Sequence, residues 1–365
     1  MKVPFNDLSR GFKLYQEEYE RATIEVLRSG YYILGNQVEA FEEEFAKMLD
    51  CSYCVGIDNG LDAIALGIHA LGIGKGDEVI LQSNAYIATV LGVTINSVTP
   101  VFVEPDEYFN IDADLIEQKI TNRTKALLVT HLYGQSSNMD KLVDICKRYN
   151  IFLLEDCAQS HLAQYNDKYT GSFGEIGFFS FYPTKNLGGF GDGGAIVTNN
   201  SNIANKIRML RNYGSNKKYH NEVRGVNARL DELQAALLRV KLSHLKELTQ
   251  ERKVIADKYL KGVHNPYVTL PIIRDKATHV WHLFVVKTAL RDRFREYLLQ
   301  NGIKTEVHYP IPVHMSNAYK ELGYKKGDFP VAEIYSERVV SLPLFNGMSN
   351  EEVEFVINKI NHYQQ

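Results

Sequence analysis

Short apolar strands alternate with amphipathic helices through the first two-thirds of the chain, and this rhythm narrows the possible folds more than any other feature. Val55-Gly56-Ile57 reads as a strand, followed by a polar turn at Asp58-Asn59-Gly60 and a helix reaching about Leu71. Glu78 to Gln82 is a strand, and Lys125 to His131 is an apolar run that suits a strand buried on both faces. Leu142, Ile145, Cys146 and Tyr149 then recur at helical spacing. Ile151 to Leu154 is a strand that ends on Glu155-Asp156, and Gly177 to Phe181 and Gly194 to Thr198 add two more. Such alternation predicts an α/β fold whose mostly parallel central sheet is covered by helices. Ligands of these sheets collect beyond the carboxyl ends of the strands.

After residue 230 the pattern changes. Asp231 to about Lys253 reads as one long helix, with Leu233, Leu237, Val240, Leu242, Leu245 and Leu248 as its apolar positions. His279 to Lys287 reads as a strand, Arg291 to Asn301 as a helix stopped by Gly302, and Glu351 to His362 as a terminal helix. The predicted organisation is a large domain over residues 1–245 and a smaller α+β domain over 246–365. A chain of 365 residues has room for both cores. Tyr15 to Ser29 is a further helix, closed by Gly30.

The formal net charge of -3 gives no basic face for nucleic acid. No apolar run approaches the roughly 20 residues that span a bilayer, and MKVPFNDLSRG has no apolar core of a secretory signal. Four cysteines are too few for a disulfide framework in a chain this long, so a reducing, cytoplasmic setting is expected. Cys51 and Cys54 have no second Cys or His pair nearby, so no metal site is expected there.

Chemistry concentrates at the predicted strand ends. Lys185 follows the strand ending at Phe181, and five glycines fall within the next nine residues. Glycines let backbone approach a ligand closely. A phosphate-binding P-loop places its glycines before the lysine, which is the wrong order here. A lysine placed here could still form a Schiff base or simply be solvated. Asp156 stands about thirty residues upstream at another strand end, and this pairing points to pyridoxal phosphate (PLP). That coenzyme needs a lysine for its aldehyde and a carboxylate to keep its pyridine nitrogen protonated. Asp58-Asn59-Gly60-Leu61-Asp62-Ala63 lies at a strand-to-helix junction, where free amides and the helix dipole favour an anion. Tyr86, just past the strand ending at Gln82, is an aromatic placed to stack on a ring.

Together these segments resemble the DegT/DnrJ/EryC1/StrS sugar aminotransferases, fold-type I PLP enzymes. The resemblance runs from Pro4-Phe5-Asn6-Asp7-Leu8 through Gly35 to Glu42, Gly214-Ser215 and Asn227 to Ala236, and ends with Gly302 to Pro310. It implies that Lys185 holds PLP, Asp156 pairs with the pyridine nitrogen, Gln159 contacts the phenolic oxygen and Tyr86 stacks on the ring. Gly60, Leu61 and Ser180 would hold the phosphate, the first two through backbone amides. Asn227 would reach the phosphate from the neighbouring subunit, which implies a homodimer with shared active sites. Many members have Ser-Gly-Thr where this chain has Asn59-Gly60-Leu61, so a threonine hydroxyl contact is lost. The stretches Arg211 to Asn221 and His308 to His314 are similar to those of members that aminate carbon 3 of dTDP-3-keto-6-deoxyhexoses, with glutamate as donor. Tyr219, His308 and Tyr309 are the substrate-binding candidates. The alternatives are amination at carbon 4, a non-catalytic sensor of sugar nucleotides, and a metal-dependent enzyme built on Glu155, Asp156, His131 and His161. Relatives that act as sugar 3-dehydratases carry histidine in place of the lysine, unlike this chain.

Overall fold

Seven strands form one central sheet in the computed structural model, which describes residues 1–365. They are β1 (Tyr53–Ile57), β2 (Glu78–Gln82), β3 (Thr99–Val103), β4 (Thr124–Thr130), β5 (Phe152–Asp156), β6 (Ile176–Ser180) and β7 (Gly194–Thr198). Their spatial order is β1-β7-β6-β5-β4-β2-β3. The run from β6 to β3 is parallel, and β7 is antiparallel to both its neighbours, so the sheet is mostly parallel as expected. Side chains alternate between two packed faces. Ala126 and Leu128 enter one core with the helix Gly60–Ala70. Leu127 and Val129 enter another with the helix Met139–Tyr149.

Register decides which residues meet at the strand ends. Thr130 of β4 lies beside Asp156 of β5, and Asp156 beside Phe178 of β6. The end of β1 is fixed by a buried ion pair. Glu42 accepts from Gly56 N at 2.8 Å and from Arg211, whose Nη1 also donates to the Gly56 carbonyl at 2.7 Å. Removing one partner of such a pair strands the other charge. Glu42→Ala is therefore expected to destabilise the chain by about 3–5 kcal/mol. Urea unfolding would measure it, and an unchanged midpoint would contradict the role given to this pair.

A further core draws on Ile255 to Tyr363 together with Val3. Around it lie a two-stranded antiparallel sheet of β8 (Phe284–Lys287) and β9 (Val339–Leu342), and the helices Leu245–Gly262, Arg291–Gln300 and Asn350–Asn361. Val3 packs with the C-terminal part, while Val313, Tyr319, Phe329 and Ala332 pack into the main core.

Two expectations need correction. The helix from Asp231 to Lys253 is two helices, Glu232–Ser243 and Leu245–Gly262, broken at His244. Tertiary contacts hold that break: the His244 ring stacks on Tyr15 at 3.7 Å and its Nε2 meets Glu18 at 3.2 Å. The strand expected from His279 shrinks to Phe284–Lys287. Trp281 sits at φ 50, its ring stacked on His279, and the carbonyls of Trp281 and His282 are taken by Arg252 instead of a strand partner.

Candidate active site

The ends of β1, β4, β5 and β6 open into a cavity of about 500 Å³. At β1, Asn59 caps the helix Gly60–Ala70 by accepting from Asp62 N at 2.9 Å. That leaves the first-turn amides of Gly60 and Leu61 at the cavity wall. Glycine is required at this junction. A Cβ on Gly60 would lie 2.7 Å from Ser180 Cβ, and one on Gly194 2.5 Å from the Asn59 carbonyl carbon. The close packing brings the helix N-terminus, Ser180 and Gly193 to one wall. Burial and Asp62 push the neighbouring Asp58 carboxyl up to about 7, which reduces its negative charge beside this anion cradle.

At β5, strand alternation separates two adjacent carboxylates. Asp156 faces the cavity. Its oxygens accept from Thr89 Oγ1 at 2.6 Å, Thr130 Oγ1 at 3.4 Å and Ala158 N at 3.1 Å, which fixes its direction. Glu155 points away and is fully buried. It accepts from the amides of Gly171, Phe173 and Gly174 and contacts His131 Nε2 at 3.1 Å. Glu155 thus braces the loop after β5, and its lone pairs are engaged. His131, Glu155 and Cys157 do cluster within 4.8 Å, but His131 Nδ1 also accepts from Ser137 N. The four-residue metal set is not assembled. His161 lies apart, with both ring nitrogens unpartnered, and burial pushes its pKa down to about 3.

Lys185 reaches the same cavity from the loop after β6. Its backbone amide donates to Tyr182 O at 2.8 Å, while its amine has no protein partner. Burial lowers the amine pKa to about 8, against an opposing pull from Asp156. A lysine so placed has a larger neutral fraction near neutral pH than a solvated one, and the neutral amine is the form that attacks carbonyls. Gln159 accepts from Tyr133 N at 2.7 Å and donates to the Tyr309 hydroxyl at 3.1 Å. The Tyr86 ring stacks on Tyr309 with centroids 4.8 Å apart. His308 hydrogen-bonds Ser341 Oγ through Nδ1 at 2.8 Å, and burial beside Lys185 lowers its pKa to about 4.

The family model for the DegT/DnrJ/EryC1/StrS aminotransferase family matches residues 14–361. The chain belongs to this family. It is 51% identical over 362 residues to the dTDP-3-amino-3,6-dideoxy-alpha-D-galactopyranose transaminase of Aneurinibacillus thermoaerophilus, covering 99% of each chain. The crystal structure of DesV from S. venezuelae superimposes with a TM-score of 0.97 at 44% identity, over 99% of this chain and 98% of that one. NtdA of Bacillus subtilis with bound cofactor PMP superimposes at 0.92 with 32% identity, over 99% of this chain and 85% of that one.

Within this family member, one cavity gathers Gly60, Leu61, Tyr86, Asp156, Gln159 and Ser180, and Lys185, His308 and Tyr309 line it too. Asn227 and Tyr219 are not among its walls. Asn227 is exposed and bridges to Asn212. Tyr219 is 87% exposed, between the short strands Ser215–Lys217 and His220–Asn221. Three residues escaped the sequence reading. Thr89 and Thr130 hold Asp156. His282 lines the cavity, but its apolar neighbours gave it the look of a strand residue.

Proposed function

We propose that the chain is a PLP-dependent aminotransferase that moves an amino group from glutamate to carbon 3 of a dTDP-3-keto-6-deoxyhexose, giving a dTDP-3-amino-3,6-dideoxyhexose. The observation that carries the reading is the meeting of an unpartnered Lys185 amine and an oriented Asp156 carboxylate in one cavity. The walls fit the coenzyme: a helix N-terminus crowded by glycines for a phosphate, an aromatic for a ring, and an amine and a carboxylate for its two reactive ends. When bound, PLP supplies an aldehyde for amine exchange and a protonated ring that withdraws electrons.

Lys185 would hold the aldehyde carbon. When free, its Nζ would serve as general base and acid, taking up a proton from the substrate carbon and giving it back. Asp156 would keep the ring nitrogen protonated, Gln159 would contact the phenolic oxygen, and Tyr86 would cover the ring. The Gly60 and Leu61 amides with the Ser180 hydroxyl would take the phosphate. His308, neutral in its buried setting, and Tyr309 would contact the sugar. Asn227 and Tyr219 would act on the active site of a second protomer, so the working unit is a homodimer. The four thiols are free, which suits the cytoplasm. No helix is long and apolar enough to cross a membrane. Carbon 3 is favoured because the relative at 51% identity is named for a 3-amino sugar.

The test supplies glutamate with dTDP-linked 3-keto or 4-keto 6-deoxyhexose and locates the new amine by NMR. Amination at carbon 3 is the expected outcome, and faster conversion of the 4-keto sugar would overturn the regiochemistry. The protein should be yellow, and borohydride should fix the coenzyme to Lys185.

A further inference from the structure

A second cavity, of about 270 Å³, meets the first at Thr184 and Lys185. Its walls are the N-terminal segment around Asp7, the loop from Pro183 to Phe190, and the helices that carry Lys241 and Arg252. Three cations therefore border one small space, and no carboxylate lies at ion-pair distance from any of them. The Lys185 amine has no protein partner. Lys241 donates only to the Gly188 carbonyl, at 3.2 Å. Arg252 spends its bonds on the carbonyls of Trp281, His282 and Leu344.

The nearby acids do not compensate. Asp7, on the cavity wall, already accepts from Ser9 N and Oγ and pairs with Arg10. Glu251 gives its oxygens to Asn346 and Gly347. Lys185 has Asp156 across the first cavity and Arg252 has Glu251 near it, but no carboxylate acts on Lys241, which feels the Arg252 guanidinium instead. Burial and that guanidinium pull the Lys241 amine down to about 8. Cations withdrawn from water without a counter-charge are costly, and proteins keep them where an anion arrives.

We propose that this second cavity receives the distal carboxylate of a dicarboxylic amino donor, with Lys241 as the group that recognises it and Arg252 reinforcing the positive field. The inference rests on the aminotransferase reading above and deepens it. The volume falls below the usual range for drug-sized ligands, so the space suits a small acid better than a nucleoside diphosphate. The two substrates share little beyond the amine they exchange, yet both must reach Lys185. A carboxylate subsite opening on Lys185, away from the larger cavity, lets the enzyme select the acid without obstructing the sugar.

Lys241→Gln keeps a donor for the Gly188 carbonyl and removes the charge. Glutarate, a dicarboxylate with no amine to exchange, serves as the first probe. Calorimetry on the full chain should show binding to wild type, weakened roughly tenfold or more in the variant, as for loss of a charge-assisted hydrogen bond. Single-turnover spectra of the coenzyme supply the second readout. Half-saturation by glutamate should rise about tenfold, with the maximal rate retained, while the reaction with the amino sugar run in reverse stays unchanged. Lys241→Arg should recover part of the glutamate affinity. Equal glutarate binding by wild type and variant would overturn the subsite, as would parallel changes in both half-reactions. If wild type converts neither amine, the aminotransferase reading fails instead, a result separable from the glutarate measurement.

Discussion

Lys185→Ala protein is expected to lose at least about 10⁴ in turnover and to release its coenzyme on gel filtration. On the proposed reading, two functions would disappear with one amine. The first is covalent attachment, and the second is proton transfer at the substrate carbon, which is worth roughly 10²–10⁴ by itself. Folding should survive. The Lys185 amine makes no hydrogen bond to protein, and its removal relieves a cation that burial already penalises. Compared with coenzyme-free wild type, the variant should therefore unfold at or above the same midpoint, and it should be colourless after borohydride treatment and dialysis. Small amines added to the assay are expected to restore part of the proton transfer but not the attachment. Wild-type transamination by this variant would remove the basis of the whole reading.

Strand and helix periodicity carried most of the sheet. β2 and β7 fall on the expected residues, and β1, β4, β5 and β6 within a few of them, because runs buried on both faces are apolar whatever their partners. β3 was not anticipated: Thr99-Pro100-Val101-Phe102-Val103 is short and holds a proline, and its edge position tolerates what a central strand would not. The misread stretches, at His244 and at Trp281, are both held by partners distant in sequence. Tyr15 and Glu18 reach His244, and Arg252 claims the carbonyls around Trp281, so no local pattern announces either break. The site divides in the same way. Lys185, Asp156 and Gly60 stand at strand ends or beside glycines, where the type of residue draws notice in the sequence itself. Thr89, His282 and Lys241 reach the cavities only because the chain folds back on itself, and each looks ordinary in its own segment.

Asp156→Asn should preserve the fold and still lower kcat by roughly 10²–10³, the range for loss of one preorganised electrostatic partner. The substitution is nearly isosteric, and its amide still finds partners. The carbonyl oxygen can accept from Ala158 N, while the Thr89 hydroxyl can turn to accept from the new NH₂ group. What vanishes is a negative charge on the cavity wall, so on the proposed reading the ring nitrogen would lose the partner that keeps it protonated. The same charge acts on Lys185. Asp156 favours the ammonium form against burial, so its neutralisation should move the Lys185 amine below its value of about 8. An amine-specific reagent applied to coenzyme-free protein should then reach half-maximal labelling of Lys185 at lower pH in the variant. A kcat within about twofold of wild type would refute an electrostatic role of the size assigned here, and an unmoved labelling curve would mean that the carboxylate and the amine do not sense each other across the cavity.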